Sequence, residues 1–246
     1  MVNIDTVYQR VLALANKEQR GYITPQEFNL FANQAQMDIF EQYFYDISGR
    51  ERIPGSNTSY ADISTLLEEK IDLFLETFAP IAPTYSKGRN IFNLPADYYK
   101  ITEVRYGDGL IIANKREVER MTFKEFNLAR ISPLTEPTLE RPAYYQKDNR
   151  VIMWPTALSD VGFREGATQI AYIRKPKSVN WTYIVVGGKS LYNPSAGDAK
   201  HFELHPSEET KLVIKILTLA GVTLKDNSLY QIAGAEDNKS IQQEKQ

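Results

Sequence analysis

The chain contains no cysteine and only two histidines among its 246 residues. The first absence excludes disulfides, thiol nucleophiles and cysteine-based zinc or iron–sulfur sites; the second leaves too few imidazoles for a three-histidine metal centre. No run approaches 18 apolar residues, so no segment reads as a membrane span. Neither sign of charge dominates. Lysine plus arginine number 29 against 31 aspartates plus glutamates, a formal charge of −2, which is a poor basis for gripping nucleic acid. The phosphate-cradling patterns GxxxxGK[ST] and GxGxxG are missing, and so are GxSxG and HExxH. These absences leave enzymology little to stand on, so the expectation is no catalytic residue, no cofactor and no metal. What is present is ordinary globular composition, 42% hydrophobic and 24% charged, with 15 tyrosines and 11 phenylalanines. The opening MVNIDTVYQR has no basic-then-apolar arrangement, which predicts a protein that folds inside a cell.

Three textures follow one another. Helical spacing of Ile4, Val7, Val11, Leu12 and Ala15 predicts a first helix to about Lys17. Thr24-Pro25-Gln26-Glu27 starts the next by three devices: an N-cap threonine, a first-turn proline and a capping-box glutamate. That helix should reach about Ile47, and a third should run from about Ala61 to Thr77 before Pro80 and Pro83. The period then becomes two, with turn signals at Gly107-Asp108-Gly109, Asp148-Asn149 and Gly187-Gly188. One short helix interrupts, opened by the box Thr122-Phe123-Lys124-Glu125. His205-Pro206-Ser207-Glu208-Glu209 begins a last helix that is apolar almost all round, and hence buried. The fold class is therefore α+β. Residues 1–85 and 205–246 should form one helical bundle, with an antiparallel, sandwich-like β-domain inserted at 86–204.

Each candidate site has a plain structural counterpart. The helix from 25 to 47 carries two apolar stripes. Phe28, Phe31, Ala32, Ala35, Ile39 and Tyr43 form one, and Leu30, Met37, Phe40, Phe44 and Ile47 the other. Two stripes fit a central bundle helix, or one whose second face meets another molecule. On the latter reading Met37, Phe40 and Phe44 are subunit contacts. The tail after Asp226 is polar except for Leu229, Tyr230 and Ile232, a small apolar anchor for docking on a neighbouring protein. Asn16 to Glu27 mimics the back half of an EF-hand loop, but Arg20 stands where an oxygen ligand is needed, favouring a plain turn. His201 and His205 are four apart, yet Pro206 follows at once and the stretch reads as a strand end rather than a metal site. Glu68-Glu69 and Glu208-Glu209 read as solvated helix positions, and the sequons at Asn57 and Asn180 as chance matches. Tyr and Trp side chains around Trp154 and Trp181 would suit a carbohydrate platform; core packing is the alternative.

The segment VYQRVLALANKEQRGYITPQEFNLFANQAQMDIFEQYFYD resembles virion structural proteins of tailed bacteriophages, especially crAss-like and marine phages. Leu94-Pro95-Ala96-Asp97-Tyr98-Tyr99, Tyr172-Ile173-Arg174-Lys175-Pro176 and His205-Pro206-Ser207-Glu208-Glu209, in that order, resemble the head-to-tail adaptors of short-tailed phages, of the tail tubular protein A type. The resemblance implies a helical bundle plus a β-rich domain, assembled as a dodecameric ring beneath the portal in the neck of the virion. It implies a channel for outgoing DNA, and as partners further copies of the chain, the portal and other tail proteins, with no membrane; Leu229, Tyr230 and Ile232 would then dock on the portal or a neighbouring ring. It implies no catalytic residues. A carbohydrate-binding tail or fibre module is the alternative function, and a hydrolase with an unrecognised carboxylate pair a third.

Overall fold

A computed structural model describes residues 1–17, 23–50, 57–81, 83–86, 89–107, 115–138, 140–155 and 168–223. The chain starts with helices α1 (Ile4–Lys17), α2 (Pro25–Arg50) and α3 (Asn57–Asp72). Strands β1 (Leu75–Pro80), β2 (Pro83–Ser86), β3 (Arg89–Asn93), β4 (Tyr98–Gly107), β5 (Lys115–Glu117) and β6 (Glu119–Arg120) come next. Helix α4 (Phe123–Ile131) precedes β7 (Ala143–Lys147), β8 (Arg150–Trp154) and β9 (Thr168–Arg174). A hairpin of β10 (Tyr183–Val186) and β11 (Lys189–Tyr192) leads to a 3-10 turn, Pro206–Glu208, and helix α5 (Glu209–Thr223). The protein is thus mixed α+β with antiparallel sheets.

Two compact units divide the chain, Met1–Leu73 with Pro176–Gln246, and Phe74–Lys175. These boundaries differ from the expected 85/86 and 204/205, for two reasons. The third helix stops at Asp72 because Leu75 to Pro80 is captured by β9, with Leu75 opposite Ile173 and Pro80 opposite Gln169. At the other end, residues 176–204 bond to the helices of the first unit and join neither large sheet.

In the unit Phe74–Lys175 one sheet has the order β1-β9-β4-β5 and the other β2-β3-β8-β7-β6. Every ladder is antiparallel except β6 with β7. Alternation along β7 and β8 explains how the five-stranded sheet is covered twice. Tyr144, Val151 and Met153 join Ile101, Val104, Ile170 and Tyr172 of the other sheet in one core. Ala143, Tyr145 and Ile152 point the opposite way and pack with Phe126 of α4. The two-residue turn between these strands carries Asp148 at φ 54°, a left-handed position that aspartate tolerates.

In the unit Met1–Leu73 with Pro176–Gln246, α2 packs against both α3 and α5. Its buried residues Phe28, Ala32, Ala35, Gln36, Ile39, Phe40 and Tyr43 cover a broad arc. At 100° per residue that arc spans roughly 140°, wider than a single seam. This corrects the division into two stripes. Phe40 is fully enclosed within its own chain, its ring edge-on to Phe44 at 5.1 Å. Phe40 therefore offers no surface to a partner, while Met37 and Phe44 are half-buried at the arc's margin. Helix α5 is buried at Leu212, Val213, Ile216, Leu217 and Ala220, which lie on one side, while Ile214 and Leu219 are half-buried. Val2 and Phe202 exchange backbone hydrogen bonds, tying the amino terminus to the approach of α5.

Candidate assembly site

The segment Lys177 to Trp181 is extended, and a run of side-chain amides on α2 completes much of its backbone hydrogen bonding. Asn33 Oδ1 accepts from Val179 N at 2.9 Å while its Nδ2 donates to Val179 O at 3.0 Å. Asn29 repeats the pattern on Trp181, accepting from its N–H at 2.8 Å and donating to its carbonyl at 3.3 Å. Gln36 donates to Lys177 O at 2.8 Å and accepts from Glu203 N at 3.1 Å. Each carboxamide thus presents a donor and an acceptor, as a neighbouring strand would. The match is geometric. Alternate residues of an extended chain repeat at about 6.6 Å, and helical positions four apart rise about 6.0 Å. Asn29 and Asn33 are four apart and serve residues two apart.

The segment ends on Trp181, which is 1% exposed. Its indole N–H donates to Asp5 Oδ1 of α1 at 3.0 Å. The ring lies 4.1 Å from Tyr8 and stacks on Tyr183 and Tyr192 at 5.7 and 5.9 Å between centroids. Those tyrosines sit directly opposite one another at the base of the hairpin. Burial, and then the Asp5 carboxylate, push the Tyr192 phenol above its usual pKa. Tryptophan thus clamps the hairpin's root.

Beyond the root the hairpin pairs with no other strand among the described residues. Gly187 and Gly188 have φ of 59° and 78°, the two positive angles of a type I′ turn. Nothing lies within 4 Å of where a Cβ would sit at either, so conformation rather than crowding demands glycine there. Opposite pairs are Ile184 with Leu191 and Val186 with Lys189, placing these four side chains on the face away from the tyrosines. Ile184, Val186 and Leu191 are 49%, 55% and 49% exposed, and Val185 on the other face 65%. A two-stranded hairpin is marginal in water by itself. This one exposes four aliphatics and is clamped at its root, and a contiguous apolar surface of that kind is a candidate interaction site.

Beside the ladder lies a groove of about 670 Å³ lined by residues including Asn29, Leu30, Asn33, Asn180, Asp198 and Lys200. Its polar groups are largely spent internally: Asn180 Nδ2 donates to Thr182 Oγ1 and to Asp198, and its Oδ1 accepts from Asn29. The sequon amide at Asn180 is thereby occupied.

No family model and no curated protein sequence matches the chain.

Of the residues singled out from sequence, Met37 and Phe44 are half-buried on α2 and Phe40 is core; Leu229, Tyr230 and Ile232 lie outside the described residues. In the EF-like stretch, residues 18–22 also lie outside them, and Glu27 turns its carboxylate to the backbone N–H and hydroxyl of Thr24 at 2.9 and 2.7 Å. His201 Nδ1 accepts from Ile4 N at 3.3 Å, and His205 Nδ1 from Ser207 N at 3.3 Å. The two are not drawn toward a common point by these bonds, and no cluster of three metal-ligating side chains occurs among the described residues. Glu208 corrects an expectation: it is 3% exposed rather than solvated and pairs with Lys70 of α3, while Glu209 pairs with Arg10 at 2.7 Å. Trp181 has no face left for a sugar, and Trp154 lies beneath the Arg130 guanidinium at 4.0 Å. The hairpin surface and the amides were missed from sequence, although signals existed. Three consecutive aliphatics at 184–186 cannot share one face of a strand, and Asn29, Asn33 and Gln36 interrupt or border an apolar arc.

Proposed function

We propose that the chain is a structural virion protein. It is a subunit of a head-to-tail connector ring below the portal of a tailed phage and forms part of the DNA-ejection channel. The observation that carries this reading is the root-clamped, outward-facing aliphatic hairpin β10–β11, which suits permanent association with protein better than chemistry on a small molecule. The phage resemblance supplies the kind of assembly: a homododecamer in the neck, built in the host cytoplasm, with the portal and further tail proteins as neighbours. The finer architecture belongs to the same reading, the helices of both chain ends forming one bundle and the two sheets a sandwich-like insert. A formal charge of −2 suits a conduit along which DNA slides without being held.

The test is the mass of the purified protein, alone and with its portal, by native mass spectrometry and negative-stain imaging. A closed ring of about twelve copies is expected from the resemblance. A chain that stays monomeric under both conditions overturns the reading. On a glycan array no binding is expected, and selective binding of one sugar would favour a fibre module instead.

A further inference from the structure

Resting on the ring reading, we propose that the free face of one copy's hairpin seats on a second apolar ridge, at the end of α4, in the next copy. A closed head-to-tail ring needs two different, complementary patches on every subunit. One is the hairpin face of Ile184, Val186, Leu191 and Lys189. The other belongs to the unit Phe74–Lys175. Helix α4 buries Phe126 and turns outward Leu128 and Ile131, and Leu134 follows in the turn after it; the three are 58%, 79% and 94% exposed.

The ridge is held in shape. Thr135 N and Glu136 N both donate to Ser132 O, at 3.2 and 3.0 Å, and Thr135 Oγ1 donates to Ala129 O at 3.3 Å. Leu134 therefore projects from a hydrogen-bonded turn. Three aliphatics on each patch match in kind, and alternate strand residues repeat at about the separation of neighbours along a helical row.

Charge selects this pairing over hairpin against hairpin. Lys189 is the only charged residue between Tyr183 and Tyr192, so two such faces would oppose like charges. On the ridge, residues 132–140 carry Glu136 and Glu140 and no base. Arg130 is turned over the Trp154 ring at 4.0 Å; Lys124 and Arg141 flank the turn. Glu136, which also accepts from Trp154 Nε1 at 3.3 Å, is the acid nearest Leu134 in sequence and the partner assigned to Lys189.

The absence of native cysteine makes the test clean. Val186→Cys and Leu134→Cys are prepared as separate single variants and oxidised in assembled rings, alone and as an equal mixture. Disulfide-linked dimers are expected in the mixture and not in either variant alone. Dimers from Val186→Cys alone would mean that hairpins pair with each other and would overturn the proposal. In the second arm Lys189→Glu should weaken assembly at least about tenfold, and adding Glu136→Lys in the same chain should restore it. Denaturation midpoints of the unassembled variants control for folding, since the substituted positions are surface ones. Rings that form in wild type and Lys189→Glu alike, with no mixed disulfide, overturn the pairing and leave the ring reading standing. Wild-type protein that never assembles, even with portal, overturns both.

Discussion

Strand β9 and the extended segment from Lys177 to Trp181 are nearly continuous in sequence, yet they are ordered by different means. β9 lies between β1 and β4 and is held by main-chain ladders on both edges. The segment after it is held along one edge by Asn29, Asn33 and Gln36 reaching out from a helix, and on the other by a single main-chain bridge from Asn180 to Lys200. A main-chain ladder tolerates substitution, because every residue but proline brings the same donor and acceptor. An amide ladder depends on three particular side chains. The consequence is geometric freedom: β9 must run with its sheet, whereas the amide-held segment can be laid along a helix and end in a hairpin that leaves the body of the unit.

The largest way to break this comparison is at the clamp. Trp181→Ala should cost about 3–5 kcal/mol of stability, as for other buried aromatic truncations. It should also speed amide hydrogen exchange through residues 183–192 while leaving β9 protected. Equal loss of protection in both segments would mean that the hairpin has no separate anchor.

A smaller effect sharpens it. Asn33→Ala strips the partner from both the N–H and the carbonyl of buried Val179 and should cost about 2–4 kcal/mol. Gln169→Ala in β9 keeps its ladder and should stay within about 0.5 kcal/mol. Urea midpoints of the two variants decide the point, and equal costs would show that the side-chain ladder matters no more than the backbone one.

The smallest effects come from the helix starts, one in each unit. Thr24→Ala and Thr122→Ala each remove a capping hydroxyl and should cost about 1 kcal/mol. The Thr24 hydroxyl, and then its backbone N–H, hold the Glu27 carboxyl below its ordinary pKa of 4.5. For Glu125 the Thr122 backbone N–H leads and the hydroxyl follows. A pKa lowered by folding contributes stability that is complete above the ordinary value and is lost as pH falls through the folded one. The gap between wild type and the threonine variants should therefore narrow on acidification below pH 4.5, and a gap that widens would contradict the box geometry.

Much of this architecture is legible from local pattern. The box at Thr122 and Glu125 closes reciprocally, as its spacing requires, with Glu125 N donating to Thr122 Oγ1 at 3.3 Å and Thr122 N to Glu125 at 2.9 Å. The turns at Asp148-Asn149 and Gly187-Gly188 stand where they were expected. The candidate site was less legible. Periodicity identified a helix from Pro25 to about Ile47 but could not say how wide its buried arc was, since that depends on α3 and α5, which both pack against it. Phe40 changed from contact to core for that reason alone.

What the sequence determines by itself is the set of choices made within a few residues: where helices begin, where strands turn, and that the chain mixes α with β. Capping hydroxyls, glycines at positive φ and hydrophobic period act over a turn of helix or a pair of strands, so they can be read without knowing neighbours. Tertiary structure alone decided that Leu75 to Pro80 is a strand, because its partner β9 is about 90 residues away. It decided that Glu208 is buried, because Lys70 meets it there. It also decided that three amides of α2 serve as the strand partner of residues more than 140 positions away. Those outcomes depend on partners distant in sequence, whose approach no local pattern encodes.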